Sequence, residues 1–188
     1  MGGGVPGGLR EIEVKYRIGD LPTLERALAD RGVVLSEPLR QDDQAYAEQG
    51  WAYGQPKAGV TFARIRTQGG RHLFTVKRPL DNEMACVEHE TEVADRAAMH
   101  QAVLAMGFVP TVRIVKIRRT AAIGDVAVCV DDVERAGLFL EMERLIGAGS
   151  GALAVQAELD SIACSLGVPM QRVSDTYDSL VRAHLVSA

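Results

Sequence analysis

The chain has 188 residues, of which 47% are hydrophobic and 24% are charged, and its formal net charge is −4 at pH 7. This length suffices for one well-buried domain but not for two ordinary ones, and the charge balance gives no sign of a general nucleic-acid or membrane binder. The apolar runs are shorter than the roughly 20 residues of a membrane helix, and no secretory signal pattern precedes the first predicted strand. We therefore expect a cytoplasmic protein.

Residues 1–8 read MGGGVPGG and predict a flexible glycine-rich tail, because such a segment cannot bury enough surface to offset its ordering entropy. We expect one domain over residues 9–188. Cys86, Cys129 and Cys164 are odd in number and lie far apart without a CxxC spacing. This pattern favours buried free thiols over a zinc site or a redox pair.

The first predicted strand is EIEVKYRI, residues 11–18, in which charged and apolar side chains alternate. Successive side chains of an extended chain point to opposite faces, so one face carries Glu11, Glu13, Lys15 and Arg17. The segment by itself does not distinguish a solvated face from the wall of a site.

Two helices are predicted to run from a capping aspartate to a glycine twelve positions later. The first runs from Asp20 to Gly32, and the second runs from Asp95 to Gly107 with Met99, Val103 and Met106 in its apolar stripe. Each helix follows an acidic strand, and the second of these strands is VEHETEV. This recurrence indicates a pseudo-repeated architecture.

Five further segments have the composition and alternation of strands. They are residues 60–68, 71–79, 112–120, 125–133 and 138–146. Six or more strands on short connections favour an antiparallel sheet or barrel. Two C-terminal helices are predicted at 152–166 and 174–185, the second with Ser174 as its cap.

Most of these strands have one face that carries charge of a single sign. The basic faces hold Arg64 with Arg66, Lys77, and Lys116 with Arg118, and the acidic faces hold Asp131 and Glu141 with Glu143. For one strand a solvated face is the simplest explanation. For the whole set, with helices available to cover the apolar faces, we favour a barrel that is charged inside and apolar outside.

Fixed charges inside a barrel are costly unless they are paired, hydrated or matched to a ligand. A polyphosphate with a divalent metal uses both signs, since Lys and Arg bind phosphate oxygens while Glu and Asp bind Mg²⁺ or Mn²⁺. The chain has no GxxxxGK[ST] loop and no GxGxxG turn. We therefore expect side chains, rather than a glycine-rich loop, to bind the phosphates.

The order of these motifs resembles the CYTH superfamily of class IV adenylyl cyclases and thiamine or inorganic triphosphatases. Its ExExK signature reads Glu11-Ile-Glu13-Val-Lys15, and is followed by RIR at 64–66, TVK ending at Lys77, ETE at 90–92, KIR at 116–118, VDDV at 130–133 and LEME at 140–143. The resemblance implies an α+β fold in which an eight-stranded antiparallel β-barrel, the triphosphate tunnel, has helices packed outside. The C-terminal ELDSIACSLGVP and SDTYDSLV are more similar to the bacterial and archaeal class IV cyclase branch.

The resemblance also implies roles for individual residues. The residues implied to bind the triphosphate are Lys15, Arg64, Arg66, Lys77, Lys116 and Arg118. Those implied to hold Mg²⁺ or Mn²⁺ are Glu11, Glu13, Glu141 and Glu143. Lys15 and Asp131 would lie at the reacting centre, Asp131 as a metal ligand or a helper in proton transfer, and Glu90 would orient a neighbouring arginine.

The implied activity is conversion of ATP to cyclic AMP and pyrophosphate by a homodimer. Hydrolysis of inorganic, thiamine or nucleoside triphosphate is the alternative reaction. A binding module that senses a nucleotide or polyphosphate without turnover is a weaker alternative. Neither a nucleic acid nor a membrane is expected as a partner.

Residues 41–59 differ from the aromatic-rich strand that the resemblance leads us to expect, and we predict a long loop there. Trp51 and Tyr53 in this segment could stack on a nucleobase, but packing over a barrel mouth is the favoured interpretation. Lys57 is expected to be solvated. The four histidines show no ligand spacing and are expected at the surface.

Overall fold

The structure is a computed structural model that describes residues 9–147 and 151–187. The tail predicted at residues 1–8 lies outside the described residues. The described part contains nine strands and four helices, in the order β1 (Arg10–Ile18), α1 (Leu21–Ala29), β2 (Leu39–Glu48), β3 (Phe62–Gln68), β4 (Arg71–Pro79), β5 (Ala85–Val93), α2 (Arg96–Ala105), β6 (Phe108–Ile123), β7 (Val126–Val133), β8 (Gly137–Ile146), α3 (Ala152–Ser165), β9 (Met170–Val173) and α4 (Tyr177–Ser187).

Eight strands form a closed antiparallel barrel in the order β1-β8-β7-β6-β2-β3-β4-β5, and β5 returns to pair with β1. The closure of the barrel is seen at Glu11 of β1, which lies opposite Leu145 on β8 and opposite Cys86 on β5. The short β9 pairs with the second half of β1, beside the half that pairs with β5. The predicted eight-stranded barrel with helices outside is confirmed.

The main hydrophobic core lies between the outer face of the barrel and the helices. Alternation on β1 and β8 sends the charged residues inward and the apolar ones outward, beneath α1 and α3. One buried cluster contains Ile12, Val14, Leu140 and Met142 of these strands with Leu24 of α1 and Leu159 of α3. Complete burial of each such side chain is worth about 1.5–3 kcal/mol, so the charged interior is supported by packing on the outside.

A second apolar cluster lies inside the barrel, at one end. Inward positions near that end change from charged to apolar, and α4 packs against them. The apolar strand residues lie two or four positions along the same strand from an inward charged residue, and therefore share its face. On β6 this charged residue is Lys116, on β7 it is Asp131 and on β8 it is Glu141. We call this cluster the end plug, and it comprises Val112, Ile114, Val133, Phe139 and Val181, all buried.

Strand β2 occupies Leu39–Glu48, where the sequence predicted the first part of a loop. Polar residues lie on both of its faces, so the sequence shows no alternation of polar and apolar residues that would identify a strand. Asp43 points inward to Arg66 of β3, while Asp42 lies on the outside and pairs with Arg113 of β6. Hydrogen bonding to both β3 and β6, rather than apolar alternation, defines this strand.

The two predicted caps differ in detail. Asp95 begins α2 as expected, because its carboxylate accepts hydrogen bonds from the backbone N–H groups of Ala97 and Ala98. Asp20 occupies the corresponding position before α1 but makes no such bond, and instead accepts a hydrogen bond from the Thr23 hydroxyl. Within residues 9–147 and 151–187 no helix is long and apolar enough to cross a membrane.

Three smaller predictions are wrong. Met106 is 57% exposed and does not join the buried stripe of α2, because the helix ends at Ala105. Helix α4 begins at Tyr177, three residues after the predicted cap Ser174. All three cysteines are free, but Cys164 is exposed on α3, while Cys86 and Cys129 are buried as predicted.

Candidate active site

The barrel encloses a cavity of about 350 Å³ that is lined mainly by charged side chains. Asp131 lies fully buried in contact with this lining. The cavity brings together the other predicted site residues, Glu11, Glu13, Lys15, Arg64, Arg66, Lys77, Glu90, Lys116, Arg118, Glu141 and Glu143. Residues that the sequence did not single out also line it, among them Asp43, Lys57, Thr75, Glu88, Thr176 and Tyr177.

Strands β1 and β8 place an ammonium group between carboxylates. Glu13 lies opposite Glu143 and Lys15 lies opposite Glu141 in the antiparallel register. Lys15 Nζ is 3.1 Å from Glu141 Oε1 and 3.5 Å from Glu13 Oε1, and its side chain is 2% exposed. Burial opposes the charge, but the two carboxylates raise the pKa of Lys15 above its ordinary value.

Asp131 is a counter-ion shared by two basic residues of β6. Its Oδ2 accepts hydrogen bonds from Lys116 Nζ at 2.9 Å and Arg118 Nη2 at 2.6 Å, while Oδ1 accepts one from Arg118 Nε at 2.7 Å. The Tyr177 hydroxyl donates to Oδ2 at 2.9 Å. Burial works against ionisation, yet Lys116 and Arg118 hold the pKa of Asp131 well below its ordinary range.

Arg118 links Asp131 to the carboxylates of β8. Its guanidinium contacts Glu141, and Nη1 lies 3.7 Å from Glu143 Oε1. Burial lowers the pKa of Arg118, but Asp131 and Glu141 raise it well above its ordinary value. We call the buried network the inner cluster, and it comprises Lys15, Lys116, Arg118, Asp131 and Glu141.

A second network lies where water reaches the cavity. Lys77 Nζ is 2.7 Å from Glu11 Oε1 and 3.2 Å from Glu88 Oε2, and its side chain is 30% exposed. Arg64 Nη2 is 3.3 Å from Glu90 Oε2, the carboxylate expected to orient an arginine, and its side chain is 29% exposed. We call this network the outer cluster, and it comprises Glu11, Arg64, Lys77, Glu88 and Glu90.

Arg66 and Asp43 form a two-bond ion pair on the β2–β3 wall. Arg66 Nε and Nη2 each donate to a different oxygen of Asp43 at 2.8 Å. Although burial raises it, the pKa of Asp43 is lowered overall by Arg66 and the nearby Arg64. Asp43 was missed because its segment was predicted as a loop, and only the inward triplet Gln41, Asp43 and Ala45 could have revealed it.

Tyr177 at the start of α4 was also missed as a site residue, although it lies in the segment SDTYDSLV that resembles the cyclase branch. Its ring faces two ammonium groups, with Lys15 Nζ 4.3 Å and Lys116 Nζ 4.7 Å from the ring centroid. The ring meets Phe139 edge-on, with centroids 5.2 Å apart. Sequence alone did not indicate that a helix outside the barrel contributes a side chain to the lumen.

The loop between β2 and β3 folds over one end of the barrel. Lys57 was expected to be solvated, but it is 6% exposed, because its ammonium donates to Ser179 Oγ at 2.8 Å and lies 3.2 Å from Glu83 Oε2. Trp51 packs edge-on against Tyr53 and Phe62, with both centroid distances 5.0 Å. The packing interpretation of the two loop aromatic residues therefore describes them correctly.

Two of the histidines are less exposed than predicted. His89 and His184 are at the surface, whereas His72 and His100 are partly buried. His100 Nδ1 is 2.7 Å from the Tyr46 hydroxyl on the outer face of the barrel.

The donor set at the β1–β8 wall has the chemistry of a site for a hard divalent cation. Burial raises the pKa of Glu143 to about 8, with Glu11, Glu141 and Glu13 adding to this effect and Arg118 opposing it. The oxygens are now directed at Lys15, Lys77 and Arg118, and no three acidic, histidine or cysteine side chains in the described residues are arranged to hold a metal. The residues fit Mg²⁺ or Mn²⁺ once the basic groups find other partners.

The comparison with known families decides the assignment, because the CYTH domain matches residues 9–177. The chain belongs to the CYTH family. Among curated proteins, this CYTH chain is 29% identical over 138 residues to a Methanocaldococcus jannaschii protein named provisionally as an adenylate cyclase, covering 72% of this chain and 77% of that protein.

Solved structures share the CYTH fold. A Pyrococcus horikoshii protein is 21% identical with a TM-score of 0.76, covering 92% of this chain and 98% of that one. A provisionally assigned adenylate cyclase from Vibrio parahaemolyticus is 19% identical with a TM-score of 0.75, covering 93% and 99%. A provisionally assigned adenylyl cyclase from Hippeastrum, described as having a dominant triphosphatase activity, is 17% identical with a TM-score of 0.59, covering 92% and 95%.

Proposed function

We propose that this CYTH protein is a divalent-metal-dependent enzyme that acts on a triphosphate, and that its reaction is conversion of ATP to cyclic AMP and pyrophosphate. The observation that supports this most directly is the pairing of acidic and basic side chains inside one cavity of the barrel. Its substrate would be a cytoplasmic triphosphate, and we propose that location for the protein.

Binding of a metal triphosphate exchanges partners without leaving a charge unpaired. Phosphate oxygens would replace carboxylates on Lys15, Lys77 and Arg118, and the released carboxylates would be free to hold the cation. A free anion would instead leave buried carboxylates without partners, at a cost of several kcal/mol for each charge (roughly 3–5 for a broken buried pair). The cavity therefore favours the metal complex of a triphosphate over the bare anion.

Six of the seven basic residues that line the cavity, all except Lys57, were expected to bind the triphosphate and have the chemistry to orient its phosphates. Lys15 and Lys116 are held at the buried end, while Arg64 and Lys77 are held where water enters. Positioning and electrostatics supply most of the catalysis in phosphoryl chemistry. The remaining members of the set are Arg66 and Arg118.

Glu11, Glu13, Glu141 and Glu143 would hold Mg²⁺ or Mn²⁺, which neutralises phosphate charge and acidifies a bound hydroxyl. In the cyclase reaction the ribose 3′ oxygen forms a bond to the α-phosphorus, and the bond from the α-phosphorus to the oxygen of the β-phosphate breaks. Pyrophosphate leaves with that bonding pair, and the hydroxyl proton passes to water. Asp131 already accepts from three side chains, which favours a role in holding Lys116 and Arg118 close to the leaving pyrophosphate.

A triphosphatase is the second candidate, and the end plug favours it. Because that end of the lumen is filled by buried apolar side chains, a triphosphate can be held in one blind tunnel with its terminal phosphorus fixed. The Hippeastrum structure of the same fold is described with a dominant triphosphatase activity. The two reactions differ in which phosphorus atom faces the carboxylates: the α-phosphorus in the cyclase and the terminal phosphorus in the triphosphatase.

Product analysis tests both proposals. The protein is incubated with ATP, inorganic triphosphate or thiamine triphosphate, with Mg²⁺ or Mn²⁺ and with a chelator as the control. Cyclic AMP with pyrophosphate supports the cyclase, and orthophosphate supports the triphosphatase. Tight binding without any product over hours would overturn both and favour the binding module, while turnover that persists in the chelator would remove the metal from the proposal.

A further inference from the structure

Tyr177 stands at the boundary between the charged lumen and the end plug. Its ring packs edge-on against Phe139 of the plug, and its hydroxyl donates to Asp131 of the inner cluster at 2.9 Å. Phe139 and Asp131 are fully buried on either side of this boundary, while Tyr177 is partly exposed and lines the cavity. The side chain therefore has one apolar contact and one polar contact, on opposite sides of the point where the lumen ends.

The ring of Tyr177 also joins two strands that are not neighbours in the barrel. Lys15 comes from β1 and Lys116 from β6, with β7 and β8 between them. Both ammonium groups lie over this one ring, 4.3 Å and 4.7 Å from its centroid. A cation is attracted to the face of an aromatic ring, so Tyr177 helps to determine where the two ammonium groups stand.

We propose that Tyr177 limits the length of the phosphate chain that the tunnel accepts, and that it positions Lys15 and Lys116 for the terminal phosphate. This inference rests on the proposed action on a triphosphate. A linear triphosphate reaches the two ammonium groups and stops at the ring. A tetraphosphate needs the space of one more phosphate, which the ring and the end plug occupy.

The end plug disfavours a longer phosphate chain through its apolar chemistry as well as through the space that it fills. Val112, Ile114 and Val133 offer no hydrogen-bond donor beyond the ring, and α4 covers them with Val181. A phosphate among these side chains would lose its hydration without gaining partners from them, which is unfavourable for any charged group. Lys57, which also lines the cavity, is already paired with Glu83 and Asp178. Removal of the ring alone opens space next to the ammonium groups, where a further phosphate still finds cations.

Calorimetric binding of linear inorganic triphosphate and tetraphosphate, each with Mg²⁺, tests the inference in the full chain. The wild type is expected to prefer triphosphate, and Tyr177→Phe is expected to keep that preference because it keeps the ring. Tyr177→Ala should reduce the ratio of the two affinities by about tenfold or more, the lower range of discrimination by pocket size. Tyr177→Leu, which removes less volume, should give an intermediate ratio.

Tyr16→Ala is the matched control, because Tyr16 is a buried tyrosine of the outer core, bonded to Asp160 and away from the lumen. This variant should lose thermal stability but keep the wild-type ratio. An unchanged ratio in folded Tyr177→Ala or, if that variant does not fold, in Tyr177→Leu would overturn the inference, as would equal weakening of both ligands. If the wild type turns over triphosphate, such a result removes only this inference, whereas a wild type that binds neither ligand overturns the proposed function as well.

Discussion

The inner and outer clusters are built from the same kinds of side chain, but water reaches them to different extents. Lys15 and Lys116 are 2% and 3% exposed, whereas Lys77 and Arg64 are about a third exposed at 30% and 29%. An ion pair near water is worth little, while a buried pair is costly to break because each charge has lost its hydration. The side chains of the outer cluster can therefore exchange their ion-pair partners readily. Those of the inner cluster can do so only when a ligand replaces every partner that is lost.

The distribution of lysine emphasises the same contrast. The chain has 4 lysines among its 21 basic residues, and all four line the cavity, Lys15, Lys57, Lys77 and Lys116. The exposed ion pairs use arginine instead, as in Arg71 with Glu92. A point charge with freely rotating donors suits a phosphate whose oxygens change position during a reaction.

The largest expected effect is on turnover. Lys15→Met should lower kcat for the triphosphate by about 100-fold or more, the scale seen when one preorganised donor to a developing charge is removed. Steady-state kinetics with the substrate identified by product analysis provide the measurement. Arg71→Met, which removes an exposed arginine, is the control and should leave kcat unchanged. Wild-type turnover in Lys15→Met would contradict the assignment of the inner cluster.

The inner cluster should also dominate stability. Asp131→Asn leaves Lys116 and Arg118 without their shared counter-ion, and should lower the free energy of unfolding by about 3–5 kcal/mol. Urea unfolding of the two proteins at neutral pH gives this difference. A decrease in the free energy of unfolding of less than about 1 kcal/mol, the value of an exposed ion pair, would show that Lys116 and Arg118 do not depend on Asp131 as their counter-ion.

The Asp43–Arg66 pair should make stability depend on acid. Because the folded-state pKa of Asp43 is lowered, its contribution is complete above the ordinary aspartate pKa of about 3.9 and is lost as pH falls toward the folded value. The difference in unfolding free energy between wild type and Asp43→Asn should therefore be constant from about pH 6 to 5 and shrink below about pH 4. A difference that grows as pH falls would reverse the assigned sign.

The smallest effect is expected in the outer cluster. Glu90→Gln removes one of two carboxylates near Arg64, at a position where the other, Glu88, remains 3.5 Å away. The free energy of unfolding should change by about 0.2–1 kcal/mol, and this change should decrease in 1 M salt. A loss as large as that of Asp131→Asn would erase the distinction between the two clusters.

Much of the barrel was predictable because a strand has a period of two. The alternation in EIEVKYRI and LFLEMERLI assigned Glu13, Lys15, Glu141 and Glu143 to charged faces, and these faces line the cavity. Strand β2 was not predictable in this way, since Asp42 and Asp43 are both paired, one outside and one inside. Its identity as a strand depends on backbone pairing with β3 and β6, and each of these strands also supplies the arginine that pairs with one of the two aspartates.

The sequence by itself determined which side chains share a face and, through the order of its motifs, the family to which the chain belongs. Only the tertiary structure decided which charges meet, how deeply each is buried and where the lumen ends. The alternation of side chains along a strand specifies the face to which each side chain points, but not how far along the barrel axis it lies. That position depends on the register in which the strands pair to close the barrel. For that reason Tyr177 and Lys57, which reach the barrel from a helix and a loop, could be located only in the folded chain.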